Sequence, residues 1–191
     1  MIKKFMIIAA IIAFFAYIEL STFTLMTLLA AASHEFGHFI AIRVCGVKVR
    51  KVKLLTLGAD ISLGGRLLSY KQTLVISLSG VITNFLLSAV FFWISEAGSY
   101  GRYFAICNLM LGLFNLFPIK SLDGGEALAC LLHMGLPLTI AEKITTTISH
   151  IALTFLWMLS VYLLIWSAGR LSLFLLCGYL FSTIVWKANT S

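Results

Sequence analysis

Three residues in one apolar run are of the types that bind metal and move protons: His34, Glu35 and His38. On a helix, residues i and i+4 share a face, so the two imidazoles point the same way. Two neutral imidazoles so placed hold one divalent ion, and the carboxylate next to the first stands where a general base is needed. H-E-x-x-H on a helix therefore implies zinc, with Glu35 as the base. The run from 22 to 44 exceeds the roughly 20 residues that cross a bilayer. Ionisable groups there are costly and face a bundle interior or a water-filled cavity, so a functional site is the default reading. A polar cluster that only ties helices together is the plainer alternative.

The elements that must position these groups follow from composition. Of 191 residues, 61% are hydrophobic and only 11% charged, against about 25% charged in soluble proteins. This is the balance of an all-α polytopic membrane protein. Spans are expected at about 5–20, 22–44, 71–94, 102–117, 143–166 and 171–187, six in all. Lys3 and Lys4 before the first apolar run resemble a signal peptide, but the run reads as the first span. Between spans two and three, Val47, Val49 and Val52 are separated by basic residues. That alternation predicts a small β-hairpin over about 47–63 at the membrane surface. Pro118 ends span four, a loop follows to Gly125, and a short helix is expected at about 125–134. The whole, 1–191, reads as a single membrane-embedded domain with its core at about 20–130.

Charge supplies the orientation. Lys and Arg number 14 against 7 Asp and Glu. With six spans and an inner N-terminus, twelve basic residues fall inside and only Arg102 and Arg170 outside, a strong positive-inside bias. Both termini are then cytoplasmic, and the His34–His38 pair and Asp123 lie towards that side. No basic patch is interleaved with aromatics, so the partner is the lipid bilayer and not nucleic acid. Cys45, Cys107, Cys130 and Cys177 are scattered, with no C-x-x-C pair, and read as core residues without a structural disulfide.

A catalytic zinc takes three protein ligands and keeps one position open. Glu19 and Glu96 fall at the outer side, Asp60 in the hairpin, and Glu126 and Glu142 flank the short helix. Asp123 follows an inward-running span and adjoins glycines that let backbone approach closely. His133 and His150 remain open as further candidates.

The chain resembles the site-2 protease family of intramembrane metalloproteases. The resemblance rests on His34-Glu35-Phe36-Gly37-His38 and on Asn115-Leu116-Phe117-Pro118-Ile119-Lys120-Ser121-Leu122-Asp123-Gly124-Gly125. The second stretch is similar to the family's N-x-x-P-x-x-x-L-D-G motif, whose Asp is the third zinc ligand. Ser79-Gly80-Val81-Ile82-Thr83-Asn84 is similar to its G-P-x-x-N segment. Val81 and Ser121 stand where the family often has Pro, which touches loop geometry and substrate choice more than metal binding. The chain is most similar to the compact, sporulation stage IV FB-type branch without a PDZ domain.

The resemblance implies one Zn2+ per chain held by His34, His38 and Asp123, with Glu35 catalytic. Asn84 and Asn115 carry amides that can steady the substrate backbone or the oxyanion, and the resemblance favours Asn84; interhelical hydrogen bonding is the alternative for both. The expected substrate is a membrane-tethered precursor, such as a sigma factor or another transcription-factor precursor, cut near the cytoplasmic face of a bacterial cell membrane. A membrane inhibitor or regulator is a further expected partner. Two other readings stand beside this one: a quality-control membrane metalloprotease whose third ligand is Glu126 or Glu142, and a non-enzymatic metal transporter. Glu35 would lack a role in the transporter, and no repeated halves are visible.

Overall fold

The structure is a computed structural model and describes residues 22–46, 49–55, 58–63 and 68–166. In chain order the elements are α1 (Thr22–Val44), β1 (Val49–Leu55), β2 (Gly58–Leu63), α2 (Tyr70–Ile94), α3 (Tyr100–Asn115), α4 (Asp123–Gly135) and α5 (Leu138–Trp166). β1 and β2 pair antiparallel, from Val49 opposite Leu63 to Leu55 opposite Gly58, with an irregularity between Val49 and Lys51. Residues 56 and 57, between the strands, lie outside the described residues, and Gly58, expected as the bend, is the first residue of β2.

Local chemistry sets the helix ends. α1 stops at Gly46, whose φ of 67° is left-handed and suits a residue without Cβ. α2 opens on a capping box: the Gln72 N–H donates to Ser69 Oγ at 3.3 Å, and the Ser69 N–H donates back to Gln72 Oε1 at 3.2 Å. Ser99 Oγ caps α3 by accepting the Arg102 N–H. α3 ends at Asn115, ahead of Pro118, because a proline disfavours helical backbone before it.

Among the described residues, three helices are long and apolar enough to cross a membrane: Thr24–Val44, Tyr70–Ile94 and Leu138–Tyr162. They correspond to the spans expected at 22–44, 71–94 and 143–166. The spans expected at 5–20 and 171–187 lie outside the described residues. The span expected at 102–117 is α3, whose 16 residues rise about 24 Å, short of the roughly 30 Å hydrocarbon layer. Burial on these helices is inverted relative to a soluble core. On α5 the buried face is Ala141, Thr145, Ser149, Leu153, Leu156 and Ser160, while Phe155, Trp157 and Met158 face outward. Small and hydroxyl side chains between helices, with large apolar ones outside, is the packing expected in lipid.

The described chain forms two compact units. The first holds α1, the strands, α2 from Ser79 onward, and α3 to Phe114. Within it, Phe91 meets Phe104 edge-on at 5.0 Å between centroids, and Thr27 Oγ1 lies 3.5 Å from Cys107 Sγ. The second holds residues 68–78, the turn after α3, α4 and α5. Within it, Tyr70 stacks on His133 at 5.1 Å, and Glu142 bonds Lys120 at 2.7 Å and His133 at 3.5 Å. Cys45, Cys107 and Cys130 are free thiols; Cys177 lies outside the described residues. Burial, helped by the nearby Glu126 carboxylate, pushes the Cys130 thiol above its ordinary range, so it stays protonated and packs as a small apolar group.

Candidate metal centre

α1 presents His34 and His38 one turn apart, as their spacing requires. Their Nε2 atoms stand 3.1 Å from each other, and the rings are nearly perpendicular, at 87°. Ser79 Oγ lies 3.3 Å from His38 Nδ1. A ring whose Nδ1–H donates to that hydroxyl keeps its Nε2 lone pair for another partner. Two glycines make the room. A Cβ on Gly80 would fall 2.7 and 2.8 Å from His34 Cε1 and Nε2, so any side chain there displaces the imidazoles. A Cβ on Gly37 would overlap Thr83 Oγ1 and lie 2.9 Å from the Ser79 carbonyl. His34 is buried and His38 half-buried, while Glu35 is exposed on the same helix.

Asp123 is the first residue of α4. The short helix therefore begins two residues sooner than the sequence suggests, and the carboxylate sits at the positive end of the helix dipole. Here the glycines clear backbone. A Cβ on Gly124 would strike the Leu116 carbonyl, and one on Gly125 the Ile119 carbonyl. The turn before α4 is closed by Ile119 N–H to Phe117 C=O at 2.8 Å and Leu122 N–H to Ile119 C=O at 2.7 Å.

One ligand atom each from His34, His38 and Asp123 lie within 4.8 Å of one another, a group able to hold a metal ion. The donor set suits zinc. Two nitrogens at about 2.0–2.1 Å from a tetrahedral ion stand about 3.3 Å apart, close to the 3.1 Å between the two Nε2 atoms. Several of the other candidates have partners elsewhere. Glu142 is paired with Lys120 and His133. His150 Nδ1 lies 2.7 Å from the Thr146 carbonyl, to which its N–H donates. Glu126 is exposed on α4.

Asn84 is fully buried, and neither of its amide atoms has a hydrogen-bond partner among the described residues. It packs where α3 has only Gly112, whose added Cβ would lie 3.3 Å from the Asn84 Cβ. Leaving such a group unpaired costs about 1–3 kcal/mol. Asn115 is the last residue of α3 and is half-buried.

A family model described as Peptidase family M50 matches residues 22–101 and 95–159. The chain belongs to peptidase family M50. That is the site-2 protease family, and both halves of the metal group lie inside the match. Rip3 of Mycobacterium tuberculosis, named as a zinc metalloprotease, is 37% identical over 111 residues, covering 53% of this chain and 28% of the relative. Zinc metalloprotease MJ0392 of Methanocaldococcus jannaschii is 30% identical over 106 residues, covering 52% and 31%. These matches take in less than a third of either relative's length. A solved site-2 protease from Methanocaldococcus jannaschii has a similar fold, with a TM-score of 0.59 over 93% of this chain and 84% of that one, at 22% identity.

Sequence reasoning passed over several residues that shape the site. Gly80 and Ser79 were in view as neighbours of Asn84, but spacing alone does not say that one clears the imidazoles and the other bonds one of them. Gly37 sits inside the H-E-x-x-H pattern and was available as a sign of close helix approach.

Proposed function

We propose that this M50 chain is a zinc metalloendopeptidase that cuts a membrane-tethered protein within or near its membrane segment. The observation that carries the reading is the histidine pair grouped with Asp123. Glu35 adjoins that pair on α1 and is exposed. In this reading His34, His38 and Asp123 hold the ion. Zinc, when bound, would make water far more acidic than it is in bulk and would polarise a carbonyl. Glu35 accepts a proton from the attacking water and delivers it to the leaving amide nitrogen. Ser79 fixes the tautomer and tilt of His38. Asn84 offers its amide to the substrate backbone or to the developing oxyanion, which would give its buried donor and acceptor their partners. Asn115 is the second amide proposed for that task.

A helical substrate hides its carbonyls in its own ladder, so the cleaved segment must be extended. The β1–β2 ladder offers an edge for strand addition. Proline introduced along that edge is expected to lower turnover. The precursor proposed is one such as a tethered sigma factor, cut from the cytoplasmic side, as the resemblance to the sporulation branch suggests. A membrane-embedded regulator fits the same setting.

The test is reconstitution of the chain in lipid with a panel of tethered precursors. Glu35-dependent release of a soluble fragment, lost on chelation and restored by zinc, is the expected result. Release that persists in Glu35→Gln contradicts the assignment of the base, and a zinc-loaded chain that cuts none of the panel counts against endopeptidase action.

A further inference from the structure

Five hydroxyls of α5 divide into two kinds. Thr145, Thr147, Thr154 and Ser160 all donate back to carbonyls of their own helix, at 2.7–2.9 Å. This is the ordinary behaviour of Ser and Thr on a helix. Ser149 departs from it. Its Oγ accepts the N–H of Lys120 at 3.0 Å and donates to the C=O of Pro118 at 3.2 Å. The side chain reaches out of its helix to a turn about 30 residues earlier in the chain.

Among the described residues, the two groups it engages have no other hydrogen-bond partner. Pro118 interrupts the helical ladder, and the tight turn after it uses Ile119 and Leu122 as donors. The Pro118 carbonyl and the Lys120 N–H are left over, and Ser149 answers both. Ser149 is 1% exposed, so solvent offers no substitute, and buried backbone groups require a partner. The opposite side of the same turn rests on α4, where a Cβ on Gly125 would come within 2.7 Å of the Lys120 nitrogen. The turn is thus gripped from α4 by backbone and from α5 by one hydroxyl. Three residues beyond Lys120 comes Asp123.

We infer that Ser149 is a positioning residue for Asp123: its doubly bonded hydroxyl fixes the 118–120 turn, and through it the direction in which the carboxylate is presented. The inference rests on the zinc reading above. Without the hydroxyl, the turn is held by the α4 backbone and by the outer Lys120–Glu142 ion pair. The carboxylate then samples a wider range, and metal affinity falls while the imidazole pair on α1 is untouched.

The experiment uses the full chain in lipid nanodiscs as wild type, Ser149→Ala, Ser149→Thr and Ser160→Ala. Two quantities are read: zinc affinity by chelator competition, and hydrogen exchange of the Lys120 amide in metal-free protein. Ser149→Ala is expected to weaken zinc binding about tenfold, as loss of a supporting contact around a metal site does, and to speed exchange at Lys120. Ser149→Thr, which keeps the hydroxyl, restores both. Ser160→Ala removes an equally buried hydroxyl bonded only within α5 and leaves both unchanged. Equal effects of Ser149→Ala and Ser160→Ala, no effect of Ser149→Ala, or no recovery in Ser149→Thr overturns the inference. A wild type that takes up no zinc refutes the metal reading instead; the exchange measurement needs no metal and still decides whether Ser149 holds the turn.

Discussion

The two regions that carry the candidate metal ligands are built in opposite ways. On α1, two ligands come from one helix, and their separation is a property of helical pitch. Room is made for them by removing a side chain, Gly80, that would press on movable imidazoles. At the start of α4, one ligand stands at the first residue after a turn. Room there is made between backbones, Gly124 and Gly125 lying against the Leu116 and Ile119 carbonyls. Imidazoles can swing away from a new methyl; a carbonyl can move only with its chain. The first region should therefore answer to change by losing metal, and the second by losing structure.

That contrast can be broken or sharpened. The largest effect belongs to neither glycine set. Glu35→Gln should reduce cleavage about 10²–10⁴-fold, the usual contribution of a general base, with zinc content unchanged, as checked by metal analysis beside a release assay. Next, Gly80→Ala should weaken zinc binding by about 10–100-fold, comparable to other damage around a metal site, with little change in the melting of metal-free protein. Gly125→Ala should instead lower stability by about 1–3 kcal/mol, the cost of overpacking, read as a lower Tm whether or not zinc is present. If the two substitutions exchange these signatures, the contrast is wrong. The smallest effect is expected from Lys120→Ala. Its ion pair with Glu142 is partly exposed, at 32% and 48%, and such pairs contribute about 0–1 kcal/mol. A larger loss of stability would mean that the ion pair, and not Ser149, holds the turn.

The same contrast explains what could be read from the sequence. The closeness of His34 and His38 was legible because a helix converts spacing into geometry, and α1 has the bounds expected for its apolar run. Asp123 was legible as a candidate from its neighbours, yet its place as the first residue of α4 was not, since α4 begins without a side-chain cap on Leu122. α5 begins at Leu138, five residues before the span was expected. Glu142 and Lys143 look like a boundary in sequence, but Glu142 lies within the helix, paired to Lys120 and His133. α3 has the 16 residues expected of its run but lies two residues earlier, at Tyr100–Asn115, because the Pro118 stop read from the sequence also restricts the backbone before it. Ser149 was not legible at all. It sits in a run of hydroxyl residues, and only the fold says which of them turns outward to the loop.

The central claim is that one zinc ion is shared by His34, His38 and Asp123. Its most direct test is the zinc content of purified Asp123→Ala beside Glu126→Ala and Glu142→Ala, each folded in lipid. The account predicts one zinc per chain in the wild type and in both Glu variants, and none in Asp123→Ala. Zinc retained in Asp123→Ala, with loss in either Glu variant, would contradict it.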